Sequence, residues 1–531
     1  MKLKHLLTLA SLLMGGGNLW AQTDVTSTYI TNADFSGTYA RFLDINTDRG
    51  VEKPLGWSVE WYQDNKDTNG MTYVAESMTQ DSKTWSAKSG KSYFARMAWG
   101  NATLYLRQTL QNLRPGSYTL AFSATAHSTD DNNNVQVSVA GQSQTIASGK
   151  VSNENGTWTD YSISFTITES TPYATIEYKA VRAGDLLKVG IDEFTLTYDG
   201  SSYYSTILTK AQSLYDDNAD WAENGLADLS TAITNNSGKE TIADKNAAIV
   251  ALEEAMATFK AANSVDMTAK ITNPNFDSNI NGWTTTGGDG SAYQHQTSSQ
   301  TNFTGGFLEK WRNGWNGGYN QADFNVSQQL TDLPNGEYTI KAYILAQMQG
   351  SKETLGDNYK NKKHGGPYYI DDEKGVWFYA SSGDNTANTW ANSFNPNFGD
   401  TSGGVLRSAT VNVTDGTLTI GFKGIGSTSG GTSLGTYANW IACDTWTLSY
   451  FGFDPTTLKA QISDLKDDVQ EIIDGDEVPT AVKTSLQSTL TNLVETPETK
   501  TILEAAISTL ESAISNANAT KDAYAKVKAL I

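Results

Sequence analysis

Hydrophobic and polar residues alternate with a period of two over short stretches of this chain: Tyr118 to Ala124, Val135 to Val139, Tyr161 to Ile167 and Ala174 to Tyr178. Further along, Tyr338 to Ile344 and Val411 to Ile420 do the same. Alternation of this kind between Gly, Asn, Asp and Ser turns predicts strands of an antiparallel sandwich or barrel. Leu113-Arg114-Pro115-Gly116 and Leu333-Pro334-Asn335-Gly336 read as tight turns entering a strand. After each such region the spacing becomes helical, as in Leu226, Leu229, Ile233 and Ile249, Leu252, Met256, then Ile462, Leu465, Val469 and Ile502, Ala505, Ile507, Leu510. Asn236-Ser237-Gly238 separates two of these helices, and Thr496-Pro497-Glu498 predicts a helix start with Thr as N-cap and Pro at N1. Two or three helices in about 60 residues make a small antiparallel bundle, a spacer more often than an active site.

The pattern is also a repeat. Ile30-Thr31-Asn32-Ala33-Asp34-Phe35 matches Ile271-Thr272-Asn273-Pro274-Asn275-Phe276, and Gly56-Trp57 matches Gly282-Trp283. Gln108 to Leu113 with Gly116 to Thr119 matches Gln328 to Leu333 with Gly336 to Thr339. Each unit closes on an acidic strand, Ile191 to Tyr198 and Cys443 to Tyr450. The resulting fold class is mainly β: two jelly-roll β-sandwich domains alternating with small α-helical bundles. The expected boundaries are 22–200 for the first sandwich, 201–264 for its spacer, 265–453 for the second sandwich and 454–517 for its spacer. A further helix starts within 518–531, with covalently linked modules beyond it as one reading of its uncapped end.

Composition narrows the class. The chain has 531 residues, 14 Trp, 25 Tyr and 46 Gly, too rich in aromatics for disorder. Lys2 and Lys4, the apolar run Leu6 to Met14 and the small Ala21 before Gln22 read as a signal peptide over 1–21. That predicts export to the periplasm, cell surface or medium. Other apolar runs are too short for membrane insertion. Removing the leader takes away two lysines and no acids, so the net charge of −20 becomes −22. Such a chain should repel nucleic acid and anionic surfaces and suits neutral glycans better than acidic ones. The lone Cys443 allows no intrachain disulfide and reads as a buried small hydrophobe.

The order of N-x-x-F strand, G-W pair, L..L..G.Y.L segment and acidic last strand resembles carbohydrate-binding modules of families 4, 9 and 22, over about residues 29–200 and 266–453. The helical segments resemble FIVAR-type spacers of large secreted glycan-active proteins. The resemblance implies glycan binding in a cleft or on a concave face, and a structural calcium where the first strand meets the last. Carried onto this sequence, that site is Asn32, Asp34 and Asp192 in the first unit, and Asn273, Asn275 and Asp444 in the second. These residues are equally natural as turn and cap residues.

Sugar rings stack their C–H faces on aromatics while hydroxyls meet polar side chains. Trp57, Trp283 and Trp446 sit at repeated or alternating positions and read as core. Trp311-Arg312-Asn313-Gly314-Trp315-Asn316-Gly317-Gly318-Tyr319-Asn320-Gln321 places three aromatics among poor strand formers. From Phe307 to Val326 this region is seven residues longer than its counterpart from Phe94 to Leu106. A ligand loop and a packed loop are both open readings. The ligand reading selects Trp311, Arg312, Trp315, Tyr319 and Gln321, with Arg96 and Trp99 in the first unit and Trp377 in the second. Trp61, Tyr62, Trp85, Tyr368, Tyr379 and Trp390 are further candidates, and each of these, like Trp377, is at least as natural in a core.

Catalysis finds weaker support. Glu309, Asp371, Asp372 and Glu373 are four of 58 acids and pair only by chance in sequence. Gly431-Thr432-Ser433-Leu434-Gly435 matches G-x-S-x-G, but no His follows it and its surroundings are all-β. His127, His295 and His364 are isolated, and without a Cys/His cluster zinc is excluded. Three functions stand: non-catalytic binding of a neutral polysaccharide, an accessory region of a larger polysaccharide-degrading enzyme, and a structural adhesin or protein-binding stalk.

Overall fold

The structure is a computed structural model that describes residues 22–530, apart from 38, 45–48, 55, 64–70, 81–82, 99–101, 184–185, 299, 312–320, 348–374, 393–402 and 426–437. The signal-peptide reading of 1–21 therefore lies outside the described residues.

The alternating stretches form two jelly-roll sandwiches, and every strand pairing among the described residues is antiparallel. In the first, one sheet runs Thr159–Ile167, Gly116–Ser128, Leu187–Asp199, Tyr93–Ala98, Met71–Ala75, with Thr23–Asp24 beside Leu187–Asp199. The facing sheet runs Gln142–Ser148, Asn134–Val139, Tyr173–Arg182, Ala102–Gln111, Ser58–Gln63. In the second, Gln294–Gln296, Phe307–Trp311, Trp440–Phe451, Gly336–Gln347 and Val405–Val413 form one sheet, with Ser264–Asp266 beside Trp440–Phe451. Thr284–Gly287, Phe324–Leu330, Leu418–Ile425, Gly375–Ser382 and Asn385–Trp390 form the other.

Period-two alternation sends one set of side chains into each core. In the first sandwich Leu104, Leu106, Ile176 and Tyr178 from one sheet meet Leu120, Phe122, Phe194 and Leu196 from the other. Trp57 lies under the sheets, 5.5 Å from Phe35 and 5.1 Å from Phe194 between ring centroids. The second core repeats this with Trp283 against Phe276 and Trp446. Trp57, Trp283 and Trp446 are all buried, and so is Cys443, whose thiol pKa is pushed up by that burial.

One buried glutamine per sandwich ties three segments together. Gln108 accepts from Thr31 N–H at 2.9 Å and donates to the carbonyls of Thr31 and Gly56 at 3.0 and 2.8 Å. Gln328 makes the same three bonds with Thr272 and Gly282. Gly56 and Gly282 hold φ of +84° and +88°, which glycine reaches without strain.

The stretch read as continuous from Val411 to Ile420 is broken. Asp415 accepts from the N–H and hydroxyl of Thr417, and Gly416 turns at φ +72°, ending one strand at Val413 and starting the next at Leu418.

The helical segments give α1 (Ser201–Asn218), α2 (Leu226–Asn236), α3 (Ile242–Ala262), then α4 (Thr456–Asp474), α5 (Thr480–Thr491) and α6 (Lys500–Lys528). α2 ends at Asn236, before the expected Ser-Gly break. The expected N-cap at Thr496 moves to Thr499, whose hydroxyl accepts from Ile502 N–H. No new helix starts near 518: nothing between Lys500 and Lys528 is Gly or Pro, so α6 runs through.

Replacing Gln328 by Leu strands the Thr272 N–H and the Thr272 and Gly282 carbonyls. The second sandwich should lose roughly 2–4 kcal/mol. Denaturant unfolding followed by Trp fluorescence measures this, and an unchanged midpoint would refute the tie.

Candidate functional site

Alternation that fills the core necessarily sends the intervening side chains outward. On the five-stranded sheet of the second sandwich, Val376, Phe378 and Ala380 face in, so Trp377 and Tyr379 face out. Trp377 stands opposite Trp390 on one neighbouring strand and opposite Lys423 on the other. Lys423 in turn stands opposite Asn325. The next row is Asn388, Tyr379, Gly421 and Ser327. The outer face thus carries three large aromatics where a solvated sheet face would carry polar residues.

The aromatics are held in fixed poses. Trp377 meets Trp390 edge-on, at 5.4 Å and 84°. Tyr379 donates its hydroxyl to Asn325 Oδ1 at 3.0 Å, and the Lys423 ammonium lies 5.2 Å from its ring centroid. Gly421 is bare backbone between Tyr379 and Ser327; a Cβ there would lie 2.3 Å from the Val326 carbonyl oxygen. Of the three, Trp390 and Tyr379 are buried and Trp377 is half-buried, so Trp377 offers the exposed ring surface of this row. The Trp377 indole N–H is buried without a hydrogen-bond partner. Buried donors are normally paired, so this one marks a place where an acceptor belongs.

The remaining candidates are placed as follows. Trp311 ends the Phe307–Trp311 strand, opposite Trp440, and is 37% exposed. It belongs to the six-stranded sheet, so it does not share a sheet with Trp377. Gln321 is buried and its polar atoms serve the backbone: Oε1 accepts from Asp289 N–H and Nε2 donates to the Asn439 carbonyl. That leaves no free surface on Gln321 for a ligand. Arg312, Trp315, Tyr319 and Trp99 lie outside the described residues, as do Tyr368, Asp371, Asp372, Glu373 and Gly431 to Gly435. Arg96 lies in the Tyr93–Ala98 strand, and the side chains of Arg96, Trp61 and Tyr62 are likewise outside the described set. Trp85 is buried and donates to the Glu154 carbonyl. Glu309 is buried, accepting from Gln294 Nε2 and from Trp440 Nε1. The register sets Phe94 opposite Ile191 and Leu308 opposite Cys443. Counted from those partners, the region before Val326 exceeds its counterpart by six residues, not seven.

The calcium candidates separate by unit. Asp34 Oδ2 is 2.8 Å from the Lys91 ammonium, and Oδ1 accepts from the N–H and hydroxyl of Ser36. Although burial opposes it, these bonds hold the Asp34 carboxyl near pKa 2. Asp192 accepts from the N–H groups of Ser89 and Glu193, while burial raises its pKa to about 6. Lys91 feels both carboxylates, so a cation already serves the first unit. Asn32 accepts from Gly37 N–H and its amide nitrogen is buried unpaired, a donor that a metal ion would repel. These residues do not fit calcium. In the second unit Asp444 Oδ2 accepts from Thr304 N–H, but its buried Oδ1 has no partner. Asn273 donates to the Asn279 carbonyl, and Asn275 is exposed. Among the described residues no group of three or more His, Cys, Asp and Glu could hold a metal ion.

No protein-family model matches the chain, and no curated protein matches it. Solved structures do. A family 61 carbohydrate-binding module in complex with β-1,4-galactotriose is 15% identical over 32% of this chain and 98% of its own, with a TM-score of 0.22. The tandem of two family 22 carbohydrate-binding modules from Paenibacillus barcinonensis Xyn10C is 10% identical over 74% of this chain and 93% of its own, with a TM-score of 0.21. A Paenibacillus xanthan lyase is 11% identical over 72% of this chain but 25% of its own, with a TM-score of 0.18. At such scores the sandwich assignment rests on strand order and register, not on these overlays. No described helix is long and apolar enough to cross a membrane, which leaves β-barrels unaddressed.

The Asp34 and Asp192 carboxyls act in opposite pH windows. The folded pKa of Asp34 is depressed, so its contribution is full above about pH 4 and disappears as pH falls towards 2. The folded pKa of Asp192 is raised, so its contribution is full below about pH 4 and declines, by roughly 3 kcal/mol, as pH rises through 6. Urea unfolding between pH 2 and 8 should show the first sandwich most stable near pH 4 on account of this pair. Lys91→Met should flatten the acid limb; an unaltered limb would refute the Asp34–Lys91 pairing.

Proposed function

We propose that this chain binds a neutral polysaccharide without cleaving it, on the outer face formed by Trp377, Trp390 and Tyr379. The observation that carries this is the aromatic row on an outward sheet face, with the Trp377 indole N–H buried and unpaired beside it. A pyranose can lay its C–H face on the half-buried Trp377 ring. Gly421 keeps the floor next to Tyr379 free of side chains, which leaves room for a chain of sugars rather than a single residue. The net charge of −20 favours an uncharged ligand over a uronate polymer. The N-terminal leader pattern supports binding outside the cytoplasm, where such polymers occur.

The test is affinity electrophoresis in gels containing soluble β-glucan, xylan, mannan or galactan. One of these should retard the chain, and Trp377→Ala should weaken that retardation by roughly tenfold or more, the effect of losing about 1.4 kcal/mol of stacking. Trp311→Ala should change it less than twofold. The opposite ranking would move the site to the Trp311 strand end, and no retardation by any polymer would remove the reading.

Calcium, if this chain holds it, belongs by our reading to the second sandwich alone, with Asp444 Oδ1 as its acceptor. Added calcium should raise the melting temperature of the second sandwich and leave the first unchanged, and Asp444→Asn should abolish the increase. A calcium response that persists in Asp444→Asn would sink this assignment.

A further inference from the structure

The repeat allows the same face to be compared position by position in the two sandwiches. The comparison is anchored by Gln108 and Gln328, which make identical bonds. Three residues before them stand Tyr105 and Asn325, whose cross-strand partners are Lys179 and Lys423. One strand further, Gln136 occupies the place of Trp377. At the edge strand Thr145 occupies the place of Trp390. In the next row Arg107, Glu177 and Ser138 stand for Ser327, Gly421 and Tyr379.

Each exchange works against stacking. The three aromatics become Gln, Thr and Ser. The bare backbone at Gly421 becomes Glu177, whose carboxylate holds Arg107 at 2.6 Å. The one aromatic on these two rows in the first sandwich, Tyr105, is already occupied: the Arg107 guanidinium lies 4.1 Å and the Lys179 ammonium 5.4 Å from its ring centroid. The Lys423 ammonium stands at a like distance, 5.2 Å, from the Tyr379 ring in the second sandwich, so what sets the first face apart is the Arg107 guanidinium on Tyr105.

We propose that the two sandwiches divide the work: the second alone binds glycan on this face, and in the first the same positions carry Gln136, Thr145 and Ser138 in place of the three aromatics. This rests on the binding reading given above and fixes its stoichiometry at one site per chain. The first sandwich then serves as scaffold.

The experiment is isothermal titration of the full chain with cellohexaose, xylohexaose, mannohexaose and β-1,4-galactohexaose, each in turn. The hexasaccharide that binds should do so with a stoichiometry of one. Trp377→Ala should lose at least tenfold in affinity. Trp377→Phe, which keeps a ring and removes the N–H, should retain a stoichiometry of one with affinity reduced about threefold or more, so a fold defect is distinguished from a site defect. Tyr105→Ala and Arg107→Ala should bind as the parent does. Two sites per chain, a second set of sites surviving in Trp377→Ala, or loss of affinity in Tyr105→Ala would overturn the division while leaving the binding reading intact. No heat with any of the four would overturn both.

Discussion

Everything in each sandwich is referenced to one buried side-chain amide. Gln108 and Gln328 sit within inward-facing rows otherwise apolar, Leu104, Leu106 and Leu110 in one and Phe324, Val326 and Leu330 in the other, a place where an unpaired amide would be costly. Their three hydrogen bonds go to the entering segment and to the G-W turn, two stretches with no sheet partner of their own. Once the amide fixes that turn, the indole that follows it has one place to go. Trp57 and Trp283 each donate to two carbonyls of the entering segment, so the ring is pinned at both its apolar body and its polar edge. Strand register, and with it the inward and outward assignment of every residue, then follows from the pleat.

A core fixed in this way leaves the outer faces free to differ. The two copies share the amide tie, the positive-φ Asn32 and Asn273, and Tyr118 and Tyr338 donating to carbonyls four residues upstream. None of this reaches the outward face of the five-stranded sheets. There the first copy has the Arg107–Glu177 ion pair beside Tyr105, and the second has Trp377, Trp390 and Tyr379 around Gly421. The segments that close on the last-strand aspartates differ as well. The path from the amide that binds the last-strand aspartate to the paired strand residue, Ser89 to Phe94 against Thr304 to Leu308, is one residue longer in the first copy, and Lys91 lies within it.

This separation explains what was legible in the sequence. Repeated residues are those that hold the core, so the repeat predicted Trp57, Trp283 and both sandwiches. It could not rank outward aromatics, because Trp377, Tyr379 and Trp390 become a surface only when three strands are placed side by side in register. Trp377 was singled out alone; its neighbours looked as natural in a core. Gln321 was misread for the same reason: a glutamine beside a Gly/Asn loop looks like a sugar contact until the Asp289 and Asn439 backbones claim it. Local chemistry misled at two boundaries as well. Alternation does not run through Asp415-Gly416: the buried set changes there from odd positions, Val411 and Val413, to even ones, Leu418 and Ile420, and the Thr-Pro start signal lost to Thr499, which caps α6.

The helical segments matter because they are not tethers. Asn246 of α3 is buried, donates to Thr23 Oγ1 and to the Tyr198 carbonyl, and accepts from Gly200 N–H, so the bundle is bonded to both the first and last strands of the first sandwich. Arg114 pairs with Glu253 at 2.6 Å beside it. On its other side the bundle meets the second sandwich through Phe451, which packs on Trp221 and Phe259, and through Lys260 and Glu337 at 2.6 Å. A buried aromatic cluster flanked by an ion pair resists rotation more than either does alone, because the rings set the contact and the charges set its azimuth. α1 to α3 therefore act as a strut with a bonded foot on each sandwich. The two sandwiches are thereby tied through one bundle, and under the binding reading proposed above this removes the cost of ordering two independent modules.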